Sequence, residues 1–193
     1  MRYFVISISF IFVYCGTPNK KEKSVIGGEP PKKENIAIEP VIPDGAITAD
    51  FNGNRSPFYS YVKNIDSIKG ITTIAFENNR YAVIKIPKSY GAVLDSLKMK
   101  GIDRDLLLAT VKLKDTNFNK YFLYKLQNNQ WKQVVNGFAI HKSNHPDTLQ
   151  PIIIDPKDST KIIRYYSVFD LDKNSKSGYR WRLLQETISI DTH

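Results

Sequence analysis

The stretch that decides the fold runs from Lys120 to Val135 and reads KYFLYKLQNNQWKQVV. In its first half the side chains at positions 121, 123 and 125 alternate with those at 122, 124 and 126, as on the two faces of a strand. Asn128 and Asn129 follow, and asparagine tolerates the positive φ that a two-residue hairpin turn requires. Trp131 then begins a second run of strand-forming residues. The stretch therefore predicts a β-hairpin.

The rest of the chain beyond residue 45 repeats this organisation. Asn78 and Asn79 predict a second two-residue hairpin of the same design. Residues 92–99 carry apolar side chains at 93, 94 and 97, which predicts one short helix or turn. The predicted strands, about nine at roughly ten-residue spacing, are 58–62, 71–76, 80–86, 106–113, 120–126, 131–135, 149–154, 160–166 and 179–190. We therefore predict an all-β, antiparallel meander that forms either a β-propeller-like fragment or a sandwich.

The first fifteen residues, MRYFVISISFIFVYC, predict an export signal. Arg2 is their only charge, and the apolar run ends at Cys15, the single cysteine of the chain. Twelve apolar residues span about 18 Å as a helix, which is too short to cross a bilayer core of roughly 30 Å. The sequence FVYCG around Cys15 resembles the end of a bacterial lipoprotein signal peptide, with Tyr14 in place of the usual small residue. That resemblance implies acylation of Cys15 and a membrane-anchored protein of the bacterial cell envelope, at the outer membrane or cell surface; an ordinary secretory leader is the alternative.

Charge and composition predict the kind of partner. Residues 16–44 contain five prolines and five lysines without any apolar period, which predicts a disordered linker between the leader (1–15) and a single β-rich domain (45–193). The formal net charge of the 193-residue chain is +9, which favours anionic partners. Besides the membrane reached through the lipid anchor, we expect an acidic glycan, an anionic lipid or an envelope protein. Export makes nucleic acid the least favoured partner, and we expect none.

Asp50, Asn52 and Asn54 open the predicted domain in the pattern D-x-N-x-N. This pattern resembles the start of an FG-GAP or VCBS repeat, the calcium-loop unit of integrin-like β-propellers, and implies a propeller-related sheet. The three residues keep the first three ligand positions, but Arg55 replaces the turn glycine, and no acid closes the loop. A second, more degenerate copy at 98–105 has lysine and isoleucine at the ligand positions. We therefore expect no bound metal and no cofactor.

The catalytic motifs that occur in the chain are incomplete. His141 and His145 have the spacing of two zinc ligands on a helix, with Asp147 as a third candidate. Pro146 and the polar residues before it indicate a loop, so we interpret both histidines as solvent-exposed loop residues. The segment SYVK at 60–63 matches S-x-x-K, but residues three apart on a strand point to opposite faces.

Two classes of function remain open. The first, which we favour, is a non-catalytic binding module of a surface lipoprotein. The second is a glycan-acting hydrolase whose two carboxyl groups, about 5–10 Å apart, meet only in the folded chain. The candidates for such a pair are Asp103, Asp105, Asp155, Asp158, Asp170 and Asp172.

The C-terminal segment YRWRL provides the predicted binding face. The strand period sends Trp181 and its two apolar neighbours to one face, and Arg180 and Arg182 to the other. We expect the tryptophan face to point inward and the arginine face outward, extended by Arg164 and Lys161 on the preceding strand. A guanidinium fork suits carboxylate, sulfate or phosphate groups. The alternative is that these four residues are scattered solubilising charges.

Overall fold

The computed structural model of the chain describes residues 41–146 and 148–190. The predicted leader, its lipidation site Cys15 and the linker up to residue 40 lie outside the described residues. Two short 3-10 turns, Glu77–Asn79 and Lys142–Asn144, accompany the strands. The strands are β1 Ile47–Ala49, β2 Phe58–Asp66, β3 Ile71–Phe76, β4 Ile84–Pro87, β5 Ala92–Lys98, β6 Asp105–Lys112, β7 Phe118–Gln127, β8 Gln130–His141, β9 Ile152–Asp155, β10 Asp158–Leu171 and β11 Tyr179–Ser189.

The strands form three antiparallel sheets. The first sheet has the order β1-β2-β3-β4 and the central sheet the order β5-β6-β7-β8, so each is a meander of four consecutive strands. The third sheet has the order β11-β10-β9, and β10 and β11 pair along eleven residues. The predicted antiparallel all-β class is confirmed, with eleven strands in the described residues where about nine were predicted. No helix within 41–146 and 148–190 has the length and apolar character needed to cross a membrane.

The central sheet lies between the other two, as strand β6 shows. Leu107, Ala109 and Val111 belong to the core that it shares with the first sheet. Leu106 and Leu108 point the other way, into the core that it shares with the third sheet. Because successive side chains of a strand point to opposite faces, a strand buried on both faces must be apolar at nearly every position. This burial accounts for the unbroken apolar run at 106–109.

The hairpin predicted at Asn128 and Asn129 is confirmed. Both residues have positive φ, 52° and 60°, and Gln127 pairs directly with Gln130. A two-residue loop of this kind matches the right-handed twist of the strands that it joins.

The hairpin predicted at Asn78 and Asn79 has a different geometry. Both asparagines have a φ of 52°, but they lie at the 3-10 turn, and β4 begins only at Ile84 rather than at residue 80. The intervening segment carries Tyr81, whose ring packs on Phe58 with centroids 5.1 Å apart. The prediction of strand at 80–83 was therefore wrong, because this segment covers the aromatic core instead of pairing with β3.

The short helix or turn predicted at 92–99 was also wrong. Residues 92–98 form β5 and pair with β6 along their whole length, from Ala92 opposite Val111 to Lys98 opposite Asp105. The apolar residues at 93, 94 and 97 have too little helical period to outweigh the hydrogen bonds that the edge of β6 offers. Tertiary pairing routinely overrides so weak a local preference.

Candidate functional site

Arg164, the first of the predicted binding residues, joins the third sheet to the central sheet. Its Nε and Nη2 atoms donate to Glu186 Oε2 at 3.0 and 2.6 Å, and Nη1 donates to the carbonyl oxygen of Asn136 at 2.9 Å. The guanidinium carbon lies 5.6 Å from the centroid of the Phe138 ring. With its side chain only 17% exposed, Arg164 mainly holds β8 and β10 together.

Arg180 and Arg182 are exposed, on the face where the strand period predicts them. Arg180 Nη1 lies 3.4 Å from Asp172 Oδ2, and Arg182 Nη1 lies 3.1 Å from Asp170 Oδ2. We call the hairpin formed by β10, β11 and the turn between them the ribbon. Each arginine therefore forms an ion pair with a carboxylate of this ribbon.

Lys161, the fourth predicted residue, pairs with Asp158 at 2.9 Å. The hydroxyl of Thr160 also donates to Asp158, at 2.6 Å, and this hydrogen bond, followed by that of Lys161, lowers the pKa of Asp158 to about 2. The same contact raises the pKa of Lys161. Each of the four predicted basic residues thus has a carboxylate partner, so these positions of the ribbon carry little net charge.

The opposite face of the ribbon is aromatic. The indole of Trp181 stacks on His141 at 5.2 Å and meets the ring of Phe118 edge-on at 4.9 Å, so it points inward as predicted. Tyr179 instead stacks on Phe169 at 4.8 Å, and these two side chains are 45% and 58% exposed. The aromatic face therefore continues into solvent at the end of the hairpin.

The two histidines have separate structural surroundings. Besides its stacking on the indole, His141 forms a hydrogen bond through Nδ1 with the Ser143 hydroxyl at 2.7 Å. His145 stacks on Tyr121, with centroids 6.3 Å apart. Asp147 lies outside the described residues. Among the residues that are described, no group of three or more His, Cys, Asp or Glu side chains could hold a metal ion.

The oxygens of the calcium-loop remnant bind the backbone of their own loop. Asp50 Oδ1 accepts a hydrogen bond from the Gly53 N–H at 3.0 Å, and Asp50 Oδ2 accepts one from the Arg55 N–H at 2.9 Å. Asn52 and Asn54 each accept from the N–H two residues further on. Such turns satisfy backbone donors that would otherwise have no partner inside a tight loop. The remnant thus stabilises its own turn.

The carboxylates considered for hydrolysis are also engaged in local structure. Asp103 accepts from Arg104 at 2.8 and 3.0 Å, and this hydrogen bonding lowers the pKa of Asp103. Asp105 accepts from the Asp50 N–H at 2.9 Å, and Asp155 accepts from a nearby backbone N–H at 2.8 Å. A glycosidase acid needs a raised pKa, so the lowered pKa values of Asp103 and Asp158 are the reverse of that requirement.

A feature that the sequence did not reveal is a cavity of about 430 Å³ at the ends of the first two sheets. Its wall carries four lysines and a single acid, Asp115, and the apolar part of the wall includes Tyr90 and Leu113. Three turns supply most of the wall: the β2–β3 turn, the β4–β5 turn and the β6–β7 loop. The four lysines are Lys69, Lys88, Lys114 and Lys120. We call this feature the lysine cavity.

Buried hydroxyl groups hold these turns in place. Ser89 donates to the carbonyl oxygen of Ile86 at 2.6 Å and accepts from the Thr72 N–H at 2.9 Å. The next residue, Tyr90, donates its N–H to the carbonyl oxygen of Lys112 at 2.9 Å. Ser89 and Thr72 are fully buried, so these bonds are shielded from competing water. The β4–β5 turn is consequently tied to the neighbouring strands on both sides.

The lysines of this cavity differ from the basic residues of the ribbon in their charge partners. Within the part of the chain that the structure describes, Lys88 and Lys114 have no carboxylate at ion-pair distance. Lys69 lies 3.8 Å from Asp66, but its side chain is 74% exposed, so that pair is weak. The cavity therefore carries a positive charge that its own wall does not neutralise.

A second cavity, of about 180 Å³, adjoins the first and shares Leu113 with it. Its wall carries Lys112 and Lys142, with Phe118 as an apolar neighbour. The lysines of the two cavities extend from position 69 to position 142 and form no run, which is why no linear motif marks them. The only indication of these lysines in the sequence is that most of them lie in or beside a turn.

Comparison of the chain with protein-family models, with curated proteins and with solved structures finds no match.

Proposed function

We propose that the chain is an exported lipoprotein, held on the bacterial cell envelope through Cys15, whose β domain is a non-catalytic module that binds an anionic envelope component. The leader that ends at the only cysteine supports export and acylation. The net charge of +9 supports an anionic partner, for which an acidic glycan or an anionic lipid is the natural source.

The observation that carries the binding proposal is the unneutralised lysine cavity. Lys88 and Lys114 line its wall, and neither has a carboxylate partner among the described residues. The six carboxylates that were candidates for hydrolysis all accept hydrogen bonds or pair with cations of their own surroundings. These six carboxylates are therefore already paired within the fold, whereas Lys88 and Lys114 are not, which supports binding of an anion rather than acid–base chemistry.

Labelling tests the location. Cells that produce the chain are grown with a palmitate analogue, and the protein is recovered from the membrane fraction. We expect the label in the parent chain and none in a Cys15→Ala variant, because this residue is the only thiol. Label that persists in the variant, or an unlabelled parent, contradicts the lipoprotein proposal.

A binding assay tests the activity. The full chain in neutral detergent is applied to an immobilised sulfated polysaccharide, to its desulfated form, and to immobilised phosphatidylglycerol and phosphatidylcholine. We expect retention on an anionic matrix at low salt and release as the ionic strength rises, since the Debye length is about 8 Å at 0.15 M. New reducing ends in the polysaccharide would instead indicate hydrolysis, and no retention on any matrix contradicts the binding proposal.

A further inference from the structure

We propose that the lysine cavity is the ligand site of this module, and that its ligand is a saccharide that carries phosphate or sulfate groups, either free or as the head group of a lipid. The inference rests on the proposed function, to which it adds a location and a chemical class. It depends on three properties of the cavity: its charge, its shape and the rigidity of its wall.

Charge selects an anion. The wall carries four lysines and one acid, Asp115. Lys112 and Lys142 of the adjoining cavity add to the same positive electrostatic potential. A concave surface lined by one sign of charge concentrates the potential and raises the local concentration of oppositely charged ligands. Lysine ammonium groups are compact point charges with three donors, which suits the several oxygens of a phosphate or sulfate group.

Shape selects a ligand with a ring-sized body. The cavity of about 430 Å³ falls in the lower part of the range found for small-molecule sites, roughly 300–1,000 Å³. Tyr90 and Leu113 provide apolar wall between the lysines. The Tyr90 hydroxyl lies close to Gly70, where an added Cβ would be only 3.2 Å away. A sugar ring offers both an apolar face for such a wall and hydroxyl groups that carry the anions.

A rigid wall favours binding because less conformational entropy is lost when the ligand binds. Lys88 has a φ of 53°, and its turn is held by the hydrogen bonds of the adjacent Ser89 and Tyr90. Lys120 Nζ lies 5.1 Å from the centroid of the Phe122 ring, which holds the ammonium group in place. Gly137 makes room for this pair, because a Cβ there would lie 2.6 Å from the Phe122 ring.

The ribbon is the competing site, and its geometry is less favourable. Arg180 and Arg182 pair with Asp172 and Asp170, so an anion that binds there must first displace a carboxylate. No such displacement is needed at Lys88 or Lys114. The lysine cavity therefore offers positive charge to a ligand at a lower cost than the arginine face does.

Three double variants with the same change in net charge separate these sites. The cavity variant is Lys88→Glu with Lys114→Glu, the ribbon variant is Arg180→Glu with Arg182→Glu, and the control is Lys173→Glu with Lys176→Glu in the exposed β10–β11 turn. Each full chain is titrated in neutral detergent with a sulfated disaccharide, with its unsulfated form, and with a phosphorylated glycolipid dispersed in the same detergent micelles. Circular dichroism and thermal melts check that each variant is folded, and Lys88→Gln with Lys114→Gln replaces the cavity variant if it is not.

We expect the cavity variant to lose about tenfold or more in affinity for the sulfated disaccharide, and the other two variants to lose less than about threefold. Binding to the phosphorylated glycolipid without binding to the disaccharide identifies a lipid head group as the source of the same chemistry. Asp115→Asn removes the only acid of the wall while the amide oxygen still accepts from the Asn117 N–H, so this variant should bind more tightly.

Two results overturn the inference while the proposed function stands. Equal losses in all three variants indicate a general charge effect, and a loss confined to the ribbon variant assigns the site to the arginine face. If the parent chain binds none of the anionic probes at low salt, the proposed function itself fails.

Discussion

The indole of Trp131, in β8, stacks on the ring of Phe76, in β3, with centroids 4.6 Å apart and planes inclined by 18°. Phe51 meets the same indole edge-on at 5.5 Å. Trp131 belongs to the central sheet and Phe76 to the first sheet, so this stack is a direct link between the two layers. The lysine cavity is built from turns of these same sheets, and its shape depends on their staying together.

Trp131→Ala should lower the free energy of unfolding by about 3–5 kcal/mol, because it removes a large ring from a packed interface and leaves a cavity. Urea unfolding followed by circular dichroism measures this loss. Trp131→Phe is the matched control. It keeps an aromatic ring against Phe76 and loses only part of the indole, including an N–H that has no hydrogen-bond partner among the described residues, so it should cost clearly less. Equal losses in the two variants would contradict the role assigned to the stack.

Substitution by alanine at two buried serines should change the stability of the protein in opposite directions. Ser60 and Ser89 are both fully buried, but the Ser60 hydroxyl has no partner among the described residues. An unpaired buried hydroxyl costs about 1–3 kcal/mol, so Ser60→Ala should stabilise the protein by about 1 kcal/mol. Ser89→Ala removes hydrogen bonds to Ile86 and Thr72 and should destabilise it by about 1–3 kcal/mol. Paired thermal melts measure both changes, and a loss of stability in Ser60→Ala would show that its hydroxyl has a partner.

The loop at Asp50 should stabilise the fold without calcium. Its only carboxylate already accepts two backbone N–H groups, and Arg55 adds a positive charge beside it. A site with so little negative charge binds Ca²⁺ in the millimolar range or more weakly. Melting curves in EDTA and in about 1 mM Ca²⁺ should therefore coincide within about one degree. Asp50→Ala should lower both curves equally, by about 1–3 kcal/mol in stability; a rise of ~10 °C on adding Ca²⁺ to the parent would contradict this account.

The pKa of Asp158 should rise when the Thr160 hydroxyl is removed. That hydroxyl is the largest cause that lowers the pKa of Asp158 from 3.8 to about 2, ahead of Lys161. Because the folded-state pKa is the lower one, the stabilising contribution is complete above pH 3.8 and is lost as the pH falls towards 2. A carbon-detected titration of the carboxyl group in Thr160→Val should give a pKa closer to 3.8, and Thr187→Val, on the neighbouring strand, should leave it unchanged. An unchanged pKa in Thr160→Val would assign the shift to Lys161 instead.

The amino-acid sequence by itself determined the fold class and its clearest hairpin. Asn128 and Asn129 permit positive φ at two adjacent positions, and the flanking residues alternate with period two, so neighbouring residues alone specify the turn and its strands. The outward position of Arg180 and Arg182 and the inward position of Trp181 follow from the same period. These features need no information from distant parts of the chain.

Only the tertiary structure decided which strands and side chains these elements contact. Residues 92–98 became a strand because the edge of β6 offers backbone hydrogen bonds along their whole length. The arginines of the ribbon acquired carboxylate partners, whereas Lys88 and Lys114, distant in sequence, came to line one cavity without any. Coulomb interactions depend on distances in space and on the surrounding dielectric. Which positive charges of this protein remain available to a ligand is therefore decided by the folded chain.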